Sequence, residues 1–142
     1  MTIINQKILN KKLSIALIYC QHCVLKDVSM AEVKEQTDVI LNAAMMPCSS
    51  KVQVSNLLGI LDKEADGIEI IACPEKACQF LVGSCRAERR ISRIQELLID
   101  INVGKDRVGI TRKMGLSKND LIEIIKIREK KVLELIKQGD HK

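Results

Sequence analysis

Aromatic side chains are nearly missing from this chain of 142 residues: there is no tryptophan, and Tyr19 and Phe80 are the only other aromatics. A stacking platform for single-stranded nucleic acid needs such rings, so that class of partner is excluded. No run of about 18 apolar residues occurs, so no membrane span is expected. The first residues, Met1-Thr-Ile-Ile-Asn-Gln-Lys7, lack the charged, apolar, small order of a signal peptide, and a cytoplasmic location is expected. A glycine-rich phosphate loop is missing too, as is any set of side chains resembling a catalytic acid, base or nucleophile. The chain therefore reads as a carrier or binding subunit and not as a self-sufficient enzyme.

What is present is an ordinary globular balance, with 46% hydrophobic and 29% charged residues and a formal net charge of +5. The basic and acidic residues are interleaved, as on solvated helix faces. Neither a repeat nor a low-complexity linker divides the chain, so residues 1–142 are expected to form one domain with a short polar lead-in over 1–12.

Apolar runs and helical periodicities alternate along the sequence. Leu13–Tyr19 is a compact strand candidate that ends at Cys20-Gln-His-Cys23. Leu25, Val28 and Met30 or Ala31 form a weak helical face within 24–34. A second strand is expected over Thr37–Met46, stopped by Pro47 with Cys48 at its exit. Val54, Leu57, Leu58, Leu61 and Ala65 follow the spacing of an amphipathic helix. A strand over Ile68–Ala72 leads to Cys73. Ala87, Ile91, Ile94, Leu98 and Ile101 then mark one face of a long helix from about Ser84, with Gly104 placed as its cap. A short, less apolar strand over Arg107–Thr111 fits a sheet edge. Ser117-Lys-Asn-Asp120 has the form of a helix start, and the helix over 117–138 directs Leu121, Ile124, Ile125, Val132, Leu135 and Ile136 to the core. This alternation predicts an α/β fold, a single doubly wound, mainly parallel four-stranded sheet of flavodoxin-like order 2-1-3-4.

In a parallel sheet every strand ends its run on the same edge. Cys20, Cys23, Cys48, Cys73 and Cys78 are thus expected to converge there, in the loops where open α/β sheets place their ligands. A CxxC pair and a C-x4-C pair together supply four thiolates, enough for tetrahedral zinc or a [2Fe–2S] cluster. CxxC after a first strand also suits dithiol redox chemistry, although that needs only two cysteines. Structural disulfides conflict with the expected compartment. His22 reads as a solvent-facing loop residue, and Cys85, where the helix begins, as a small hydrophobe without a role. Lys51, Arg86, Arg89, Arg90 and the amides opening the helix near Ser84 would stabilise an anionic cluster, favouring its reduced state.

Taken together, these motifs resemble the delta subunit of methyl-viologen-reducing hydrogenase. They are a strand ending in Cys20-x-x-Cys23, Cys48-Ser-Ser-Lys-Val52, Ala65-Asp-Gly67 before a strand, Cys73-x4-Cys78 with Phe80, and Gly83-x-x-x-Ala-Glu-Arg-Arg90. The likeness runs from about Leu13 to Val108. Departures are Ser50, Ala72 and Ser84 where the family often has Gly, Gly and Asn, and Gln79 in place of His. Cys85 falls where no family cysteine is expected. The resemblance implies one [2Fe–2S] cluster held by four of the five residues Cys20, Cys23, Cys48, Cys73 and Cys78. It also implies an electron relay between a hydrogenase or formate dehydrogenase-type subunit and a heterodisulfide-reductase-A-like flavoprotein.

Overall fold

The computed structural model describes residues 13–46, 53–74, 83–101 and 103–139. Four parallel strands form one sheet in the order β2-β1-β3-β4, the order expected from the sequence. Their ranges are β1 Ser14–Cys20, β2 Ile40–Met46, β3 Gly67–Ala72 and β4 Val108–Arg112. The described helices are α1 Met30–Glu35, α2 Val54–Lys63, α3 Gly83–Asp100 and α4 Lys118–Gly139, with a 3-10 turn at Lys105–Arg107.

The two inner strands are apolar without alternation because both of their faces are covered. All six residues of β3 are buried. Ile15 and Leu17 of β1 join Ile71, Leu121, Ile125 and Val132 beneath α1 and α4. Ala16 of β1 joins Ile68, Ile70, Leu57, Ile91 and Ile94 beneath α2 and α3. Each such aliphatic side chain removed from water contributes roughly 1.5–3 kcal/mol. The sheet thus separates two apolar layers, and its registers run β1 Ser14 against β2 Ile40 and β3 Ile68 against β4 Val108.

Local signals explain two of the helix boundaries. At the start of α4, the Ser117 backbone N–H and hydroxyl donate to Asp120 Oδ2 at 3.0 Å each, while the Asp120 N–H donates to Ser117 Oγ at 3.3 Å. This reciprocal capping satisfies N–H groups that the helix leaves open. Beyond α3, the N–H groups of Val103 and Gly104 donate to the Leu98 carbonyl. Gly104 has φ +101°, and a Cβ there would lie 2.7 Å from Leu135 Cδ2, so conformation and space both favour glycine.

Two expectations need correction. The helix expected within 24–34 shrinks to Met30–Glu35; Leu25 is exposed, and Val33 is the buried residue of the helix. Val24 instead makes a parallel bridge with Leu116, which draws that segment out of helical geometry. Ile101 does not share the buried face of α3, because the helix ends at Asp100 and leaves Ile101 exposed.

The largest departure lies inside the core. Glu69 and Arg128 are both buried, and Arg128 Nε donates to Glu69 Oε2 at 2.7 Å. The Thr111 hydroxyl donates to Glu69 Oε1 at 2.7 Å, and Arg128 Nη1 donates to the Asp106 carbonyl at 2.8 Å. Gly109, paired with Glu69 across the sheet, leaves room for the guanidinium: a Cβ there would collide with Arg128 Nη2.

Candidate metal centre

Cys20 ends β1, and Cys73 follows the last residue of β3, its neighbour in the sheet. Parallel pairing of Tyr19 with Ile71 brings both strand ends to the same edge. Cys23 returns to that edge through a tight turn in which its N–H donates to the Cys20 carbonyl at 3.0 Å. The Gln21 N–H donates to the Met46 carbonyl, and the Leu116 N–H donates to the Cys23 carbonyl at 2.9 Å. The CxxC turn is therefore pinned on one side by β2 and on the other by the segment leading into α4.

The three sulfur atoms lie within 4.8 Å of one another. Cys23 Sγ is 3.5 Å from Cys73 Sγ, and Cys20 Sγ is 3.8 Å from Cys73 Sγ. Thiolates at the corners of a tetrahedron, each about 2.3 Å from a central ion, stand about 3.8 Å apart. The two separations to Cys73 therefore suit ligands sharing a metal ion. All three are buried, with relative exposures of 2% for Cys20, 0% for Cys23 and 1% for Cys73. Burial is the main force raising the Cys23 thiol pKa above its ordinary range; the hydrogen bond to Cys73 and the neighbouring thiols add to it. Burial thus keeps the thiol of Cys23 neutral; three thiolates in so dry a corner would need a cation beside them, and a metal binding there would displace the thiol protons.

Of the five cysteines singled out in the sequence, the structure brings together Cys20, Cys23 and Cys73, while Cys48 and Cys78 lie outside the described residues. Cys85 belongs to α3. His22 is exposed, its Nε2 3.5 Å from Gln21 Nε2, as a solvent-facing loop residue should be. Among the basic residues expected to attend the thiols, Lys51 lies outside the described residues. Arg86 and Arg89 are exposed and Arg90 is half-buried. Among the described residues, a cation that does reach the thiol backbone is Arg112, which was not among those expected from the sequence. Arg112, the last residue of β4, donates from Nε to the Cys73 carbonyl at 3.4 Å and from Nη1 to Glu88 Oε2 at 2.5 Å. A basic residue ending a strand beside a cysteine-bearing strand end was the available signal.

The fold and the thiols define a class: a small parallel α/β protein with a buried three-cysteine group suited to a metal ion, at the C-terminal edge of its sheet. More particularly, the chain belongs to the family of the methyl-viologen-reducing hydrogenase delta subunit, whose profile matches residues 15–135. It is similar to the vhu iron-sulfur subunit of the F420-non-reducing hydrogenase of Methanocaldococcus jannaschii, with 27% identity over 65 residues, 46% of this chain and 48% of that protein. The corresponding vhu iron-sulfur subunit of Methanococcus maripaludis is 23% identical over 95 residues, 67% of this chain and 71% of the relative. For the vhc iron-sulfur subunit of Methanococcus voltae the figures are 26% over 86 residues, 56% and 60%. The match thus spans about half the length of the first of these relatives.

Proposed function

We propose that this chain is an electron-transfer subunit holding one [2Fe–2S] cluster on four of the residues Cys20, Cys23, Cys48, Cys73 and Cys78. The observation that carries the reading is the buried group of Cys20, Cys23 and Cys73, in a family whose similar members are named iron-sulfur subunits. When bound, such a cluster accepts and releases one electron at a time. The chain's own contribution is to fix the thiols on the ends of two rigid strands, to exclude water from them, and to bring positive charge to the Cys73 backbone through Arg112. Electrons would pass between a hydrogenase or formate dehydrogenase-type subunit and a heterodisulfide-reductase-A-like flavoprotein, within the cytoplasm. The hydrogenase side of that relay draws on the names of the similar proteins.

A second reading, a structural zinc site, is favoured by one observation: sulfur separations of 3.5 and 3.8 Å suit a single tetrahedral ion. Metal and acid-labile sulfide analysis of protein purified without oxygen separates the two. The iron–sulfur reading expects brown protein with about two irons and two sulfides per chain and an EPR signal on reduction. Colourless protein carrying one zinc and no sulfide would overturn it.

A further inference from the structure

We propose that Arg112, braced by Glu88, is the positioning residue of the thiol group: it ties the Cys73 backbone to α3 and sets a fixed positive charge there. The last register pair between β3 and β4 is Ala72 with Arg112, so the side chain of Arg112 leaves its strand one residue short of Cys73. It reaches across the strand end to the Cys73 carbonyl at 3.4 Å, the long end of the hydrogen-bonding range, and to the Glu88 carboxylate at 2.5 Å. One guanidinium thereby joins the chain leaving β3 to the helix that begins at Gly83. A planar fork with several N–H groups can serve two acceptors in different directions, which a lysine ammonium on a flexible stem does poorly.

Glu88 lies in the Ala-Glu-Arg-Arg segment singled out in the sequence. Its neighbours Arg86 and Arg89 point to solvent, whereas Glu88 turns to Arg112. The Arg112 side chain is only 22% exposed, so its charge is less screened than that of a surface arginine. Glu88, at 50% exposure, is better solvated and offsets that charge in part. The electrostatic half of the inference rests on the iron–sulfur reading, since a positive charge stabilises the more anionic reduced state and raises the potential. The mechanical half needs no cluster.

Two measurements test the halves separately. In metal-free protein, hydrogen–deuterium exchange should quicken about tenfold in Arg112→Met at the amides of Ala72, Cys73 and residues 86–90, with α4 unchanged. Arg112→Lys should quicken it nearly as much, because the fork is lost. Unchanged exchange at both segments in Arg112→Met would overturn the brace. In protein purified with its cluster, an EPR-monitored redox titration should give a lower potential for Arg112→Met, a potential close to wild type for Arg112→Lys, and a higher one for Glu88→Gln. Equal potentials in the Lys and Met variants would overturn the charge role. Wild-type protein without iron would remove the iron–sulfur reading and its electrostatic half, while the exchange measurement still decides the brace.

Discussion

Arg128 stands at a core position of α4: Leu121, Ile125 and Val132 are buried on the same helical stripe, and the arginine falls between them in register. Its partner Glu69 interrupts an otherwise apolar strand. Two charges so placed need one another, since removing either leaves the other buried and unpaired. Arg128→Met is therefore expected to destabilise the fold by about 3–5 kcal/mol in denaturant unfolding, and the double variant Glu69→Leu/Arg128→Met to recover most of that loss. Gly109→Ala should be severe in the wild-type background, where its Cβ would meet the guanidinium, and milder beside Arg128→Met. At the thiols, Cys73→Ser and Cys23→Ser should abolish or badly perturb the visible spectrum of anaerobically purified protein, whereas Cys85→Ser should leave it intact. Bleaching by Cys85→Ser with a normal spectrum for Cys73→Ser would refute this assignment of ligands.

The elements differ in how openly the sequence announces them. Strands β1 and β3 are legible as unbroken apolar runs because both faces of each are covered. Helices α2 and α3 are legible because a single buried stripe repeats at helical spacing. Helix α1 is not, since its six residues bury only Val33 and a bridge between Val24 and Leu116 competes for the preceding segment. Nor are Glu69 and Arg128, whose partners lie far along the chain; local patterns carry no record of such a pairing, and Arg112 left only the weaker signal of a basic residue at a strand end. The capping pattern that starts α4, Ser117-x-x-Asp120, was legible, and it supplies a pH prediction. Backbone and hydroxyl hydrogen bonds from Ser117 hold the Asp120 carboxyl below its ordinary pKa. A carboxyl so lowered contributes stability above its unfolded pKa and loses that contribution as pH falls through the folded value. Acid titration should thus weaken α4 below about pH 4, and Asp120→Asn should flatten that part of the stability profile, read by circular dichroism.

For the whole molecule, parallel topology directs Cys20, Cys23 and Cys73 to one edge, and that convergence was readable in the residues alone. The alternation of apolar runs and helical stripes leaves a few doubly wound strand orders, of which the expected 2-1-3-4 is the one found, and the edge follows from the parallel pairing. Exposed Met45, near the end of β2, and exposed Leu25 and Met114, just beyond the ends of β1 and β4, lie toward this same edge. If the chain works as a relay subunit, partner binding should protect Leu25, Met45 and Met114 from hydrogen exchange. Added salt should weaken co-purification to the extent that exposed Arg86 and Arg89 meet an acidic surface. A lone monomer that reduces small disulfides through Cys20 and Cys23, and whose deletion leaves every complex unaffected, would refute the relay.

The separation in sequence between the gathered thiols has a consequence for the order of biosynthesis. Cys23 and Cys73 are 50 residues apart, and Cys20 and Cys73 are 53 apart. A nascent chain emerging as far as Cys23 offers only a two-thiol hook, and the third thiol joins it once β3 has paired beside β1. Yet in the finished fold all three are sealed from solvent. A metal or cluster delivered by another protein must therefore arrive between those two events, or wait for that corner of the sheet to open again. In wild-type protein prepared without metal, loading should then proceed no faster than the local opening that hydrogen exchange reports at Cys23 and Cys73.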